Sequence, residues 1–341
     1  LACAGHQVRV YCTTANGAEE LDVPKSMNIE GVQVRYFPRI TGDHSHLSPA
    51  LLWALWQHCR EFDVVHIHSW WNLVAMPALL ICWMRGVRPV LSPRGMLSDY
   101  TFRSGWKRLF HNVLGRNLLA QSVVHVTSKV EREEVKKAAP DATVFEAPNL
   151  LQFPALASYS SVGKTLQIAF ISRIDPKKGL APLFHALQTS TFPWQLTIAG
   201  SGDAAYTAEL KALAQTLGIA QQIEWVGWVD GPEKYRLLAY SDLFVLTSFS
   251  ENFANAALEA LAMGTPVLLG EDVGLADYVR QSNTGKVCAP APEAIGAALD
   301  DLYKRIQEGA FKREDIARQV RTDFDPERIA EQYLDAYQTL S

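Results

Sequence analysis

The sequence predicts an α/β protein of two doubly wound parallel-sheet domains facing a cleft, and three observations carry that prediction. At 341 residues the chain is too long for one ordinary core and suits two domains of about 150 residues each. Short apolar or β-branched runs alternate with longer helical patterns: "QVRVYCTT", "DVVHIH", "RPVLSP" and "SVVHVTS" in the first half, then "LQIAFIS", "QLTIAG", "QIEWVGW", "DLFVLTS" and "PVLLG". Strands separated by helices build right-handed β-α-β units, and parallel strands covered on both faces read as unbroken apolar runs. The rhythm breaks once, in the Pro-, Ser- and Ala-rich "PNLLQFPALASYSSVGK" (148–164), a natural linker. The expected domains are 1–155 and 156–322. The tail 323–341 reads as a helix capped by Asp325 with Pro326 at its first position; Ile329, Tyr333, Leu334 and Tyr337 share an apolar face expected to pack back on the first domain.

Composition narrows the class. With 48% hydrophobic and 20% charged residues and a net charge of -4, the chain reads as a soluble globular enzyme without the field that a nucleic-acid backbone requires. Its five cysteines are scattered, odd in number and without a C-x-x-C pair, which suggests reduced thiols and a cytoplasmic setting. The longest uncharged run, 69–84, contains Asn72 and Pro77 and is shorter than the roughly 18 to 20 apolar residues of a spanning helix; it reads as a buried helix. The opening "LACAGHQV" lacks an initiator Met and a signal peptide and looks cut.

Chemistry concentrates in three stretches. In "SFSENFANAALEALAMGTPVLLG" (248–270) a strand leads through Glu251 into a helix that carries Glu259 and ends at Gly264. Open parallel sheets bind ligands beyond the carboxyl ends of their strands, and a helix N-terminus offers free N–H groups to a phosphate. A carboxylate on an apolar helix face costs several kcal/mol unless hydrogen-bonded, and vicinal sugar hydroxyls would satisfy Glu259. Equally, Glu259 is half exposed or pairs with a Lys or Arg elsewhere, and Glu251 only caps the helix. In "FISRIDPKKGLAPLFHAL" the loop cations Arg173, Lys177 and Lys178 suit a diphosphate leaving group; alone they would read as a solvated turn. In "LTIAGSGDAAY", Gly200, Ser201 and Gly202 form either a weak dinucleotide fingerprint or a tight turn with close backbone approach.

E-x7-E across Glu251 and Glu259, the following "GTPV", R-x4-KG from Arg173 to Gly179, the "AGSG" turn and the "WVGWV" strand resemble the donor half of retaining GT-B glycosyltransferases of family 4. "GHQVRVYCT", "DVVHIHSWWN", "SPRGML" and "VHVTSKVEREE" extend the resemblance over essentially the whole chain. It implies two Rossmann-like domains. It also implies that Arg173 and Lys178 hold the donor diphosphate, Glu259 the ribose hydroxyls and Glu251 a hydroxyl of the donor sugar. Backbone N–H groups of Asn252, Phe253, Ala254 and Asn255 would bind sugar and phosphate, Val229 would lie against the base, and His68 would face the donor sugar. Arg94, at another strand end, would meet acceptor or phosphate. Two departures stand out. Relatives often read E-G-F-G where this chain has Glu251, Asn252, Phe253, Ala254, and their first strand and glycine-rich loop have no counterpart here.

The implied reaction moves a sugar, with UDP-hexose as the family-weighted donor, to a glycan or lipid-linked acceptor with retained configuration. No cofactor and no essential metal are expected, since the one D-x-D, Asp323 and Asp325, reads as a helix cap. Exopolysaccharide or cell-envelope glycan assembly is the implied setting. A nucleotide-sugar epimerase and a non-catalytic nucleotide-sugar-binding protein remain as alternatives; a dinucleotide dehydrogenase would leave both glutamates and the basic pair unexplained. The basic, aromatic stretch 102–116 is either a solvated helix face or a peripheral contact with the inner face of the membrane.

Overall fold

The computed structural model describes the whole chain except residues 18, 44, 99–101, 103–104, 156–162 and 340–341. Part of the expected linker and part of the basic stretch therefore lie outside the described residues. The chain forms two compact units, Leu1–Ala147 with Ile329–Ser341, and Pro148–Arg328, so the division falls at the start of the Pro- and Ser-rich stretch.

The first unit runs β1 (Arg9–Thr13), β2 (Ala15–Asn16), β3 (Glu19–Glu20), β4 (Ser26–Ile29), β5 (Val32–Phe37), α1 (Pro49–His58), β6 (His66–His68), α2 (Ala75–Met84), β7 (Val90–Ser92), α3 (Gly105–Phe110), α4 (Arg116–Ala120), β8 (Val123–Val126), α5 (Lys129–Ala138) and β9 (Thr143–Glu146). Its strands form a sheet in the order β1-β5-β4, a parallel sheet β6-β7-β8-β9 and the small pair β2-β3. Strands β4 and β5 make an antiparallel hairpin through Glu30 and Gly31, both at positive φ. The uncharged run 69–84 is helical only over α2, and Asn72 explains why: its Oδ1 accepts from the N–H groups of Val74 and Ala75, ending the loop and starting the helix. Ser48 and Ser128 cap α1 and α5 in the same way. Trp70, Leu79, Leu91, Leu119 and Val124 are fully enclosed in this unit's core.

The second unit runs β10 (Leu166–Ile171), α6 (Leu180–Gln188), β11 (Trp194–Ala199), α7 (Ala204–Thr216), β12 (Ile223–Gly227), α8 (Gly231–Tyr240), β13 (Leu243–Leu246), α9 (Asn255–Ala262), β14 (Val267–Gly270), α10 (Ala276–Ser282), β15 (Gly285–Cys288), α11 (Pro292–Gln307) and α12 (Arg313–Asp323). All six strands are parallel in the order β12-β11-β10-β13-β14-β15. Every residue of β13 and β14 is buried, as unbroken apolar strands covered by helices require. The order reverses direction between β10 and β13, the kind of switch point at which open parallel sheets bind ligands.

The last helix, α13 (Pro326–Gln338), starts where expected: Asp325 Oδ1 accepts from the N–H groups of Glu327 and Arg328 at 3.0 Å. From Ile329 onward it belongs to the first unit. Among the described residues no helix is long and apolar enough to cross a membrane, and all five cysteines are free thiols.

Candidate active site

The loops after β10 and β13 carry most of the expected residues. Asp175 caps a short turn at Pro176–Lys178 through the N–H of Lys177, and Gly179 follows at φ 77°. A side chain on Gly179 would run into the backbone carbonyl of Thr247, so glycine lets the two loops touch. Phe249 N–H donates to the Lys177 carbonyl at 2.9 Å and completes the contact. The result is that Lys178, only 5% exposed, forms an ion pair with Glu251. Glu251 therefore does not cap α9. Its backbone is fixed by hydrogen bonds with Asp272 and Gly274.

Arg173 is exposed beside this pair, and Lys177 is half-buried. Loss of water, together with the charges of Lys178 and Arg173, pulls the Lys177 ammonium below its ordinary value despite Glu251. Positive charge is thus in excess at the ends of β10 and β13. Ala254, at the N-cap of α9, adopts φ 72° and ψ 64°, the left-handed conformation that glycine reaches most readily. Among the described residues, the N–H groups of Asn252, Phe253, Ala254 and Asn255 donate to nothing. Phe253 is buried against Phe324, while the Asn255 amide oxygen accepts from Asn149 at 2.8 Å. Thr247 Oγ1, Ser248 Oγ and Asn252 Oδ1 are buried there without a partner among the described residues.

Glu259, on the second turn of α9, is 7% exposed and has a cation after all. Lys234 Nζ lies 2.7 Å from its Oε1, and the Tyr235 hydroxyl donates to the same oxygen at 3.3 Å. Sequence reasoning named a Lys or Arg partner only as a class; a lysine 25 positions upstream on another helix gives no local signal. Gly200 and Gly202 serve close packing: a Cβ at either would strike the carbonyl oxygen of Ser172 or Ile174, and Gly202 bridges Ile174. Ser201 carries that turn toward β10 through a hydrogen bond from Ile174 N–H at 2.9 Å. Val229 lies in the loop beyond β12, next to the 66% exposed Trp228.

His68 and Arg94 belong to the first unit. His68 ends β6 and stacks on His66 with centroids 4.4 Å apart. Loss of water around its ring, then the Arg94 cation, push it to about 4, so it is neutral at neutral pH. Arg94 follows β7 at φ 56° and lies 3.4 Å from His68 Nδ1; its loop is held by Glu131, which accepts from Gly95 N–H and Thr127 N–H at 2.8 Å. Behind them runs a chain the sequence did not disclose. Tyr337 Oη meets His66 Nδ1, His66 Nε2 meets Ser92 Oγ, and Ser92 Oγ meets His125 Nδ1, each at 2.7 Å. His125 Nε2 closes the chain on the Ala147 carbonyl at 2.9 Å, with Tyr333 Oη at the same distance. A carbonyl only accepts, so His125 carries its proton on Nε2 and Ser92 donates to Nδ1. His66 Nε2–H then donates to Ser92, and Tyr337 donates to His66.

A six-stranded parallel sheet with clustered cations and unused N–H groups at its switch point defines a doubly wound α/β protein whose switch point suits an anion. Comparison with known proteins narrows this class. Residues 1–147 match the family "Glycosyl transferase 4-like domain" and residues 156–321 the family "Glycosyl transferases group 1"; the chain belongs to the group 1 glycosyltransferases. It is 27% identical to a glycogen synthase of Mycobacterium tuberculosis over 97% of this chain and 86% of that protein. In fold it is similar to sucrose-phosphate synthase from Thermosynechococcus elongatus, with a TM-score of 0.79 at 18% identity over 99% of this chain and 90% of that one. Anabaena HepE, solved with UDP and glucose, gives a TM-score of 0.74 at 19% identity over 91% and 87%. These structural likenesses establish the GT-B fold of two Rossmann-like units.

Proposed function

We propose that this glycosyltransferase moves a hexose from a nucleoside-diphosphate sugar to a glycan or lipid-linked acceptor, with retention of configuration and without an essential metal. The supporting observation is the cation excess of Arg173, Lys177 and Lys178 beside the unused N–H groups ahead of α9. As the glycosidic C–O bond breaks, its electron pair stays on the diphosphate, and Arg173, Lys178 and the α9 N-terminus stabilise that charge. The acceptor oxygen attacks the same face of the oxocarbenium-like sugar, and its proton passes to the leaving phosphate oxygen. Glu251 accepts a hydroxyl of the transferred sugar, and Glu259 the ribose diol. His68 is assigned to the transferred sugar as a neutral imidazole, and Arg94 to acceptor or phosphate.

UDP-glucose is the first donor to test, in line with the ligands named for HepE, and polysaccharide synthesis is the reading that the glycogen synthase relative favours. We extend the reading to a cytoplasmic protein that meets the membrane peripherally through 102–116, where Leu109 and Val113 are 66% and 70% exposed beside Lys107 and Arg108.

Calorimetric titration of a panel of nucleotide sugars into the chain and into Glu259→Ala tests the donor assignment. Binding of one donor, lost in the variant, supports it; binding of none overturns it. Proton NMR of the first-formed product reads the anomeric configuration, and activity abolished by EDTA would end the metal-free reading.

A further inference from the structure

Glu259 sits in a helix whose neighbours Ala257, Leu258, Ala260, Leu261 and Ala262 are all fully buried. One of its carboxylate oxygens is fully engaged. Oε1 accepts from the Lys234 ammonium at 2.7 Å and from the Tyr235 hydroxyl at 3.3 Å, a proton shared with the Gln152 carbonyl at 3.4 Å. Loss of water and the nearby Glu259 push the Tyr235 phenol up to about 12, so it remains a donor at physiological pH. The Lys234 ammonium also lies over the Tyr235 ring, 4.9 Å from its centroid, which fixes the long side chain against α8. Oε2 accepts from no described residue, and the Lys234 ammonium donates to no other described group. An ammonium has three N–H donors. The cluster therefore presents a spare anionic acceptor and two spare cationic donors side by side.

That pattern matches a vicinal diol, because each hydroxyl both donates and accepts. We propose that Lys234 is the second half of a diol clamp for the ribose of the donor nucleotide. Glu259 Oε2 takes a hydroxyl proton while Lys234 donates to a hydroxyl oxygen, and Tyr235 holds Oε1 so that Oε2 stays turned to the ligand. The inference rests on the assignment of Glu259 to the ribose, and adds a residue outside the E-x7-E pair. Glu251 is not equivalent: its cation Lys178 is itself part of the basic cluster at the diphosphate.

The alternative is that Lys234 only neutralises Glu259, and a comparison in a charge-free background separates the two. Calorimetry would give Kd for UDP and for 2′-deoxy-UDP with the parent chain, Lys234→Met, Lys234→Arg, Glu259→Gln and the Glu259→Gln/Lys234→Met double variant. GDP and ADP with their 2′-deoxy forms replace UDP if it does not bind. A clamp predicts that the parent prefers ribose by about tenfold or more, that Lys234→Met weakens UDP about tenfold, and that Lys234→Arg restores part of the loss. Glu259→Gln should bind UDP several-fold better than the double variant while the two bind 2′-deoxy-UDP alike. Equal affinities of Glu259→Gln and the double variant for UDP would overturn the clamp and leave Lys234 a counter-ion. Unchanged binding in Glu259→Gln and Lys234→Met together would overturn the ribose assignment itself, as would failure of every nucleotide to bind the parent. Thermal midpoints of each variant identify any that fails to fold, and Lys234→Arg, which keeps the charge on Glu259, then carries the test.

Discussion

At single residues, backbone conformation and charge pairing decide what the site tolerates. Gly200 lies at φ 143° with the Ser172 carbonyl where its side chain would be, so Gly200→Ala forces both strain and overpacking. We expect it to cost roughly 2 to 3 kcal/mol, read as a lower urea midpoint with unchanged slope; an unshifted midpoint would show that the two loops separate freely. Lys178→Ala removes the cation we assign to the leaving group and unpairs Glu251. It should lower kcat by about 10² to 10³, whereas a change confined to KM would move Lys178 from transition-state to ground-state binding. That Lys178 and Glu251 lie on neighbouring loops was legible because both follow apolar strands in a regular alternation; the chemistry assigned to them is what the variant tests. Lys234 was not legible, since the bond that gives it meaning joins α8 to α9 across 25 positions. Ala254 shows the opposite case: its left-handed φ of 72° is taken despite the Cβ, and Ala254→Gly should bind donor within about twofold of the parent because glycine reaches that conformation without strain.

At the level of elements, the docking of α13 has a pH dependence written into it. Its Tyr333 and Tyr337 reach the His125–Ser92–His66 chain at the ends of β6, β7 and β8, with His68, Arg94 and Glu131 alongside. His125, 1% exposed, is pushed from 6.5 to about 4, mainly by burial and against the pull of the Ala147 carbonyl; His66 is lowered well below its usual value by burial, then by His68, His125 and the Arg94 cation. The unfolded chain therefore binds protons that the folded unit refuses between about pH 6.5 and 4. The stabilisation is complete above that window and is lost as pH falls through it, by roughly 3 kcal/mol for His125 alone. Hydrogen exchange of 329–338 should accelerate over the same window. Protection that stays flat from pH 7 to 4 would mean that the histidines do not hold the helix. The sequence announced α13 through its cap and apolar stripe but not this chain of donors, because His66 and His125 look like any strand histidines until the fold brings Ser92 between them. The β4–β5 hairpin, β9 and β15 are illegible for a related reason: "SMNI", "TVFE" and "GKVC" are short, mix polar with apolar residues and signal strands only once they pair.

For the whole molecule, the parallel order β12-β11-β10-β13-β14-β15 follows from alternating apolar strands and helices, and it explains why two motifs 73 residues apart meet. Lys178 and Glu251 stand after the two strands that flank the switch point, so sequence order and the handedness of the crossovers suffice to pair them. The first unit was less legible. Its strands divide into β1-β5-β4 and β6-β7-β8-β9, and nothing in the local apolar runs specifies where one sheet stops. The two units should also respond differently to nucleotide. A nucleotide that binds only the folded second unit stabilises it by mass action, about 2.7 kcal/mol at a hundredfold excess over Kd. Hydrogen exchange should then slow in the loops 172–179 and 248–255 and in α8 and α9, while β6 to β9 exchange as before. Protection that appeared in the first unit and left those loops unchanged would place the nucleotide elsewhere and remove Arg173, Lys178 and Glu259 from the donor site at one stroke.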